Sequence, residues 1–351
     1  PATRKPIMEY VESASRMVGS MIKKGDLVIM RSTVPVGITR EIVLPALEEE
    51  SGLKVEQDFD LMFAPERLVA GRALQELREL PQIIGGVHSE ANIDRAITLF
   101  KKLTPEIVTV ESLESAEMAK IIDNSYRDLT FAYANQMALL CEKIGINMNE
   151  LAGAVNLNYK RNHVPRPSPG VGGTCLTKDP YILMQFGEKY GYVPPLAKVA
   201  RDINESMTHH VADKACRLLT EAGKDPKEST VLVLGYAFKG KPVTSDTRDS
   251  PTQFVVDDLI AAGCTVLGYD PVVPAKRIAE MGGTPVELAD GFAKADAVIL
   301  MTNHPDFEGM NLPSHLETMK KPAVCIDGWY MHSPEDIRAV EGISYGGLGN
   351  D

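Results

Sequence analysis

The segment GVGGTCLTKD, at residues 170–179, combines a glycine-rich turn with a thiol, an ammonium group and a carboxylate. Glycines let a backbone approach a ligand closely, and the residues after them predict a helix over 177–189, whose first N–H groups and dipole favour an anion. That setting, with Lys178 three residues further along, favours the ionised form of the Cys175 thiol. We therefore interpret Cys175 as a candidate nucleophile. The alternative is a core cysteine beside a glycine turn.

A second group of polar side chains is expected on one long helix, predicted over 113–144. Lys120 and Asn124 are four residues apart in this segment, so their side chains project from the same helix face. An ammonium and an amide on one face can jointly stabilise an oxyanion. The spacing alone favours a solvent-exposed face instead, although the neighbouring Ile121 argues against full exposure.

Two further motifs follow predicted strands. Thr33 stands in the segment STVPVG at 32–37, and Glu66 stands in the segment APER at 64–67. Open α/β sheets bind ligands at the carboxyl ends of their strands, so both side chains are candidates for a site. Thr33 fits a helix N-cap equally well. Glu66 could act as an acid or base, or simply pair with Arg67.

Basic side chains gather in two loops of an otherwise acidic chain. One group, at 160–166, contains Arg161 and comes just before the glycine segment, and the other comprises Lys239, Lys241 and Arg248. Positive groups beside glycine turns suggest contacts with phosphate. The sequence is equally consistent with loops whose basic side chains contact only solvent.

Composition excludes several classes of protein. The 351 residues suggest two or three domains at the usual size of roughly 150 residues each. A formal net charge of −11 argues against nucleic acid as a partner. No apolar stretch approaches the roughly 18 residues of a membrane span and no signal-peptide pattern opens the chain, so we expect a cytoplasmic protein without membrane association. The cysteines form no CxxC pair and the histidines show no ligand spacing, so no metal site is predicted.

The apolar pattern predicts an α/β protein with mostly parallel sheets covered by helices. Predicted strands at 27–30, 60–63, 82–87 and 106–110 alternate with helices near 7–24, 38–50 and 91–102. Only helices are predicted next, at 113–144, 149–155, 177–189 and 195–219. Beyond a polar linker, strands at 230–234, 265–269, 297–301 and 323–326 alternate with helices at 252–262 and 275–280. We divide the chain into a Rossmann-like region at 1–111, an all-helical domain at 112–222 and a Rossmann-like domain at 223–351.

Taken in order, these motifs resemble the UDP-glucose/GDP-mannose dehydrogenase family. The matching features are STVPVG, APER, the Lys120 and Asn124 pair, the glycine segment and GYAFKGKPVTSDTRDSP at 235–251. The resemblance covers essentially the whole chain. It implies that a homodimer or higher homo-oligomer, assembled through the helical domain, oxidises the C6 alcohol of a nucleotide-linked sugar to a carboxylate in two NAD-dependent steps.

The resemblance also implies how the candidate residues divide the chemistry. Cys175 would capture the intermediate aldehyde as a thiohemiacetal, whose oxidation gives a thioester. Lys120 and Asn124 would bind the sugar and stabilise the oxyanion. Thr33 and Glu66 would organise the water that accepts a proton in the first oxidation and the water that finally releases the acid.

The remaining residues would bind substrate or cofactor. Asp179 would support the cysteine and the water network, and Lys178 matches the lysine that follows the cysteine in glucose-type enzymes. The C-terminal domain would bind UDP. The resemblance assigns Thr33, Lys178 and Arg248 to NAD, with Arg248 near its pyrophosphate. It assigns the nucleotide sugar to Glu66, Arg67, Lys120, Asn124, Gly172, Lys239 and Arg161, the last from across the dimer interface.

Different features point to different sugars. Glucose-type enzymes carry a second glutamate where this chain has Ala70. The segments at 64–77 and 124–139 resemble the UDP-N-acetylmannosamine branch of the family, whereas Thr174 and Lys178 depart from it. We expect UDP-N-acetylmannosamine as the substrate, with UDP-N-acetylglucosamine or UDP-glucose as alternatives. A non-catalytic UDP-sugar-binding or oligomerisation protein and a β-hydroxyacid dehydrogenase, which needs no thiol, are the rival classes.

One family feature is missing from the start of the sequence. The family opens with a GxGxxG turn after its first strand, followed by an acidic residue for the ribose, and this chain begins with neither. We therefore expect only a remnant of the N-terminal NAD-binding domain. Such a chain would retain nucleotide-sugar binding, with impaired turnover.

Overall fold

The computed structural model describes residues 6–69, 71–87 and 90–350. Ala70, which bears on the choice of sugar, lies outside these described residues. The chain forms two compact units, each made of two segments. The first unit comprises Pro1–Tyr126 and Lys178–Ala197, and the second comprises Arg127–Thr177 and Lys198–Asp351. The division into three domains stays a prediction.

Helices account for most of the chain outside the sheets. In chain order they are α1 Glu9–Gly19, α2 Leu44–Ser51, α3 Ala73–Glu79, α4 Glu90–Phe100, α5 Leu113–Ile144, α6 Met148–Asn156, α7 Asp179–Lys189, α8 Pro195–Glu221, α9 Pro251–Ala261, α10 Ala275–Glu280, α11 Leu288–Lys294, α12 Pro305–Glu308, α13 Leu312–Leu316 and α14 Pro334–Arg338. A π-helical turn at Thr39–Val43 leads into α2, and a 3₁₀ turn lies at Pro226–Glu228. Within the described part of the chain, none of these helices combines the length and apolarity needed to cross a membrane.

The first unit is built on a four-stranded sheet in which the strands lie in chain order. They are β1 Leu27–Met30, β2 Asp60–Phe63, β3 Gln82–Gly86 and β4 Ile107–Val110. β1 and β2 run parallel, as do β3 and β4, whereas β2 and β3 run antiparallel. Because β1 and β2 are parallel neighbours, the loops that follow them begin at the same edge of the sheet.

The second unit contains a six-stranded sheet in which all strands are parallel. The strands are β5 Thr230–Leu234, β6 Thr265–Tyr269, β7 Thr284–Pro285, β8 Ala297–Leu300, β9 Ala323–Asp327 and β10 Ile343–Gly347. Their order is β10-β9-β8-β5-β6-β7. The direction of winding therefore reverses between β5 and β8, which is where open sheets bind ligands, beyond the carboxyl ends of the strands.

Burial explains why these segments form the two sheets. Every residue of β8 is buried, as expected for a parallel strand covered by helices on both faces. In the first unit Val34, Leu47, Leu61 and Phe63 are almost completely buried on one side of the sheet. The predicted α/β class with parallel sheets and a helical central region is confirmed.

Some local predictions differ from the structure. The first helix ends at Gly19, before its predicted end. The helix predicted from residue 177 begins instead at Asp179, because Thr177 and Lys178 form a turn and Pro180 occupies the first helical turn, where its missing N–H costs nothing. Cys175 therefore lies in a turn ahead of α7, and is not part of the helix end.

Candidate functional site

A buried carboxylate of α5 holds the loop that follows β1. Glu117, only 1% exposed, accepts hydrogen bonds from the backbone N–H groups of Gly37 (2.6 Å) and Thr39 (2.9 Å) and from the Thr39 hydroxyl (2.5 Å). Burial raises the pKa of Glu117, and these hydrogen bonds oppose that shift. Thr33 lies half-buried in the same loop, at the carboxyl end of β1. Sequence reasoning missed Glu117, although it lies three residues before Lys120 on the same helix.

The loop that follows β2 is joined to α5 through Lys120. The ammonium of Lys120, which is buried, donates to the backbone carbonyl oxygen of Glu66. The Glu66 carboxylate accepts from the N–H of Leu68. Arg67 donates to the carbonyl oxygen of Pro81 (2.8 Å), so this hydrogen bond does not support the pairing of Arg67 with Glu66 that the sequence allowed.

A second arginine near Glu66 was not predicted. Arg31 follows β1 directly and donates to the side chain of Gln82 (3.3 Å), which in turn donates to the carbonyl oxygen of Pro65 (3.1 Å). Burial lowers the pKa of Arg31, and the charge of Glu66 opposes that effect. A charged residue directly after an apolar strand was the available signal for Arg31.

The start of α7 carries a fully buried carboxylate. Asp179 is 0% exposed and accepts a 2.6 Å hydrogen bond from the amide of Asn124. Its other oxygen pairs with the ammonium of Lys178. Lys120 and Asn124 are therefore both buried and both hydrogen-bonded within the first unit, which excludes the solvent-exposed helix face considered for them.

In the second unit the glycine segment packs on the loop before α9. The N–H of Gly173 donates to the carbonyl oxygen of Asp249 (3.3 Å), and the Thr177 hydroxyl donates to the Asp249 carboxylate (3.1 Å). A Cβ atom on Gly172 would lie 2.5 Å from that same carbonyl oxygen and 2.5 Å from Cδ of Pro251. The absence of a side chain at Gly172 is thus what allows the two loops to approach each other.

Cys175 projects from this packed segment into solvent. It is the exposed cysteine among the described residues, whereas Cys141, Cys264 and Cys325 are buried and Cys216 is half-buried. The pKa of Arg248 is raised, chiefly by its hydrogen bond to Asp246.

Four basic side chains that the sequence marked as candidates for phosphate contacts have protein partners in the second unit. Arg248 forms a 2.7 Å ion pair with Asp246. Lys241 pairs with Glu308. Lys239 lies 5.2 Å from the centre of the Phe238 ring, and Arg161 lies at the same distance from the Tyr159 ring. A phosphate at this loop would compete with carboxylates for Arg248 and Lys241.

The predicted site residues are distributed over both units. The first unit contains Thr33, Glu66, Arg67, Lys120, Asn124, Lys178 and Asp179, and the second contains Arg161, Gly172, Cys175, Lys239 and Arg248. The structure brings Lys120 to Glu66, and Asn124 and Lys178 to Asp179. Chemically, the first unit supplies buried hydrogen-bond donors and carboxylates, and the second supplies an accessible thiol.

Comparison with protein families accounts for most of the chain. Residues 2–104 match the NAD binding domain of the UDP-glucose/GDP-mannose dehydrogenase family, residues 114–206 match its central domain, and residues 232–334 match its UDP binding domain.

Individual relatives agree with the family match. The UDP-N-acetyl-D-mannosamine dehydrogenase of Pyrococcus horikoshii is 36% identical over 324 residues, which cover 92% of this chain and 73% of the relative. A solved structure of UDP-D-ManNAc dehydrogenase from the same organism aligns with a TM-score of 0.88 at 34% identity, over 99% of this chain and 78% of that one. The solved structure of NDP-N-acetyl-D-galactosaminuronic acid dehydrogenase from Methanosarcina mazei Go1 aligns with a TM-score of 0.87 at 32% identity. This alignment covers 99% of this chain and 74% of that one.

These matches correct the expectation about the N-terminal region. Residues 2–104 match the NAD binding domain of the family, so the prediction that the chain lacks the N-terminal part of that domain and keeps only a remnant is wrong. The GxGxxG turn is a single short motif within the NAD binding domain. Its absence from the start of the sequence was therefore not sufficient evidence that the domain is reduced to a remnant. Impaired turnover was inferred from that absence alone and loses its support. The chain belongs to the UDP-glucose/GDP-mannose dehydrogenase family, and is thus a nucleotide-sugar dehydrogenase.

Proposed function

We propose that this protein oxidises the C6 alcohol of UDP-N-acetylmannosamine to the uronate in two NAD-dependent steps. The relative from Pyrococcus horikoshii that is named for this sugar supports the choice. UDP-N-acetylglucosamine and UDP-glucose are the alternative substrates. The observation that carries the proposal is the exposed thiol of Cys175 on a glycine segment packed against the loop of Asp249 and Pro251.

The first unit fits the cofactor at the carboxyl edge of its sheet. The loops after β1 and β2 begin there, at the position where open α/β sheets bind ligands, and the half-buried Thr33 supplies a hydroxyl. We propose that Thr33, Lys178 and Arg248 hold NAD. When bound, NAD accepts one hydride from the sugar carbon in each oxidation.

The residues of the chain supply the proton transfers and the covalent step. In the first oxidation the alcohol proton passes to a water that Thr33 and Glu66 orient. The ionised sulfur of Cys175 then adds to the aldehyde carbon, forming a C–S bond and an oxyanion. Lys120 and Asn124 stabilise this oxyanion. To do so, Lys120 must exchange its hydrogen bond to the Glu66 carbonyl, and Asn124 its hydrogen bond to the Asp179 carboxylate, for one to the oxyanion.

Release of the product requires hydrolysis of the covalent intermediate. The second oxidation leaves a thioester on Cys175. Water, organised by Thr33 and Glu66 and supported by Asp179, gives up a proton to the Glu66 carboxylate as it adds to the thioester carbonyl. The C–S bond then breaks, and the acid leaves while the thiolate is restored. Arg67, Arg161, Gly172 and Lys239 complete the binding of the UDP-sugar.

The same proposal includes self-association. On α5 the side chains of Tyr133, Leu140 and Ile144 are exposed, and their spacing places them on one helix face. Exposed apolar faces of this kind mark interaction surfaces, and we infer that this one forms a homodimer. Light scattering should give the mass of a dimer, and of a monomer for Leu140→Glu. Phe254→Glu, at an equally exposed apolar residue of α9, should leave the dimer intact.

The catalytic proposal is tested by following NADH formation with each of the three UDP-sugars. We expect the highest kcat/KM with UDP-N-acetylmannosamine, no turnover for Cys175→Ser, and normal turnover for the control Cys216→Ser. Sustained turnover by Cys175→Ser would exclude thioester chemistry and favour a hydroxyacid dehydrogenase. Calorimetric binding of a UDP-sugar without any turnover would instead identify a non-catalytic binding protein.

A further inference from the structure

A group of buried polar side chains joins α5 to α8 within the second unit. Its members are Asp128 and Asn135 on α5 and Arg201 and Asn204 on α8, and none is more than 2% exposed. Arg201 Nη1 donates to Asp128 Oδ1 at 2.7 Å. The Asn204 amide donates to the same oxygen at 2.8 Å and accepts from the Asn135 amide at 3.0 Å.

This group contacts both ends of the segment that carries Cys175. At the N-terminal end, Asn135 Oδ1 accepts from the N–H of Ser168 (2.8 Å), and the Ser168 hydroxyl donates to the Gly170 carbonyl (3.1 Å). At the other end, Arg201 Nη1 donates to the carbonyl oxygen of Leu176 (3.3 Å). Leu176 is the residue after Cys175, so the guanidinium holds the backbone next to the thiol.

The buried ion pair of Asp128 and Arg201 contributes little to the stability of the core, because removing both charges from water costs free energy. Burial raises the pKa of Asp128, while the charge of Arg201 opposes that shift. In the described part of the chain, Asp128 Oδ2 and Arg201 Nε are buried without a hydrogen-bond partner. A buried ion pair with unsatisfied atoms gains little over apolar side chains of similar size. Its benefit is directional, since a guanidinium can hold a carboxylate and a carbonyl at fixed angles.

We propose that Arg201, oriented by Asp128, is a positioning residue that fixes the backbone beside Cys175 and thereby the direction of the thiol. The inference rests on the proposed role of Cys175 as the nucleophile. Arg201 contacts neither the thiol nor, in this proposal, the sugar. Its loss should therefore slow the covalent step without weakening the binding of substrate.

The test compares Arg201→Gln with a matched control on the same helix. Lys214 is also buried on α8, pairs with Glu142 at 2.9 Å and donates to the Gly347 carbonyl at 2.6 Å, so Lys214→Met removes a comparable ion pair away from the glycine segment. For Arg201→Gln we expect kcat to fall about 100-fold, the usual cost of a misplaced reacting group, with KM unchanged. For Lys214→Met we expect a similar loss of thermal stability and an unchanged kcat.

Arg201→Lys and Asp128→Asn keep the test decisive should Arg201→Gln fail to fold. Lysine keeps the charge but lacks the planar guanidinium that fixes the directions of the Nη1 hydrogen bonds to Asp128 and to the Leu176 carbonyl, so kcat should lie between the wild type and Arg201→Gln. Asp128→Asn should lower kcat with KM unchanged. The proposal is overturned if kcat of the Arg201 and Asp128 variants falls no further than that of Lys214→Met. It is also overturned if these variants raise KM and leave kcat unchanged. An active Cys175→Ser would refute the proposed function itself, whereas an inactive Cys175→Ser with normal Arg201 and Asp128 variants would refute only the positioning role.

Discussion

Asn124 donates its side-chain amide to the fully buried carboxylate of Asp179, with 2.6 Å between Nδ2 and Oδ2. Lys120, one turn earlier on α5, donates to the carbonyl oxygen of Glu66. The two donors that the family resemblance assigns to an oxyanion thus already have acceptors in the protein. An oxyanion would therefore compete with Glu66 and Asp179 for these donors.

The first prediction concerns Asn124→Ala. Removing the amide leaves a buried carboxylate short of one donor, which should lower the free energy of unfolding by about 1–3 kcal/mol. Loss of an oxyanion donor should also lower kcat by about 100-fold. Urea unfolding and NADH formation measure the two effects. Asp123→Ala, at the exposed neighbouring position, is the control, and equal kcat values for the two variants would refute the role of Asn124.

The second prediction concerns Gly172→Ala. The added Cβ would lie 2.5 Å from the Asp249 carbonyl oxygen and from Pro251 Cδ, neither of which can rotate away. The glycine segment must shift, at a cost of about 1–3 kcal/mol, and turnover should fall with it. In Gly153→Ala the new methyl meets nothing within 4 Å, and as a helix-interior change it should stabilise the protein by about 0.5–1 kcal/mol. Normal stability and turnover of Gly172→Ala would show that close packing at this glycine is dispensable.

The third prediction concerns Thr39→Val. The Thr39 hydroxyl donates one of the three hydrogen bonds that the buried Glu117 carboxylate accepts around the start of the π-helical turn. Valine preserves the shape but removes this donor, so the free energy of unfolding should fall by about 1–3 kcal/mol. Thr318→Val removes an exposed hydroxyl that donates to the carbonyl of His315, and this variant should change stability far less. Equal losses in the two variants would show that Glu117 does not depend on the hydroxyl.

Several elements could be predicted from the sequence because their signals are local. The strands at 27–30, 60–63, 230–234 and 265–269 and the helix at 113–144 agree with the structure at both ends. Each is a continuous apolar or periodic run between residues that break regular structure. The helix α3 was missed because none of its residues is buried, so it has no apolar stripe to detect.

Other features depend on contacts between distant residues. β10 contains two glycines, and its position in the sheet is set by pairing with β9, which the segment itself does not encode. The candidate site shows the same limit. Residue types marked Lys120 and Cys175 as candidates, but the contact of Lys120 with Glu66 joins positions 54 residues apart. The network of Asp128 and Arg201 could not be predicted from the sequence, because charged residues in predicted helices indicate solvent-exposed faces. Only the packing of the two helices shows that this ion pair is buried.

The last prediction concerns the pH dependence of stability through Glu142. Burial acts to raise the pKa of Glu142, but the hydrogen bond with His210, the charge of Lys214 and the N–H of Gly349 outweigh it and lower the pKa from 4.5 to about 2. The folded state therefore binds fewer protons than the unfolded state between these two values. The resulting stabilisation, roughly 3 kcal/mol by linkage, is present above pH 4.5 and is lost as the pH falls toward 2.

Glu142→Gln isolates this contribution, because glutamine cannot ionise. Urea unfolding should show the variant less stable than the wild type near neutral pH, with the difference shrinking as the pH falls from 4.5 toward 2. Glu221→Gln, which removes the exposed ion pair with Arg217, should show a small difference at every pH. A difference for Glu142→Gln that stays constant through this range would mean that the carboxylate stabilises the fold through packing, and that its charge contributes nothing.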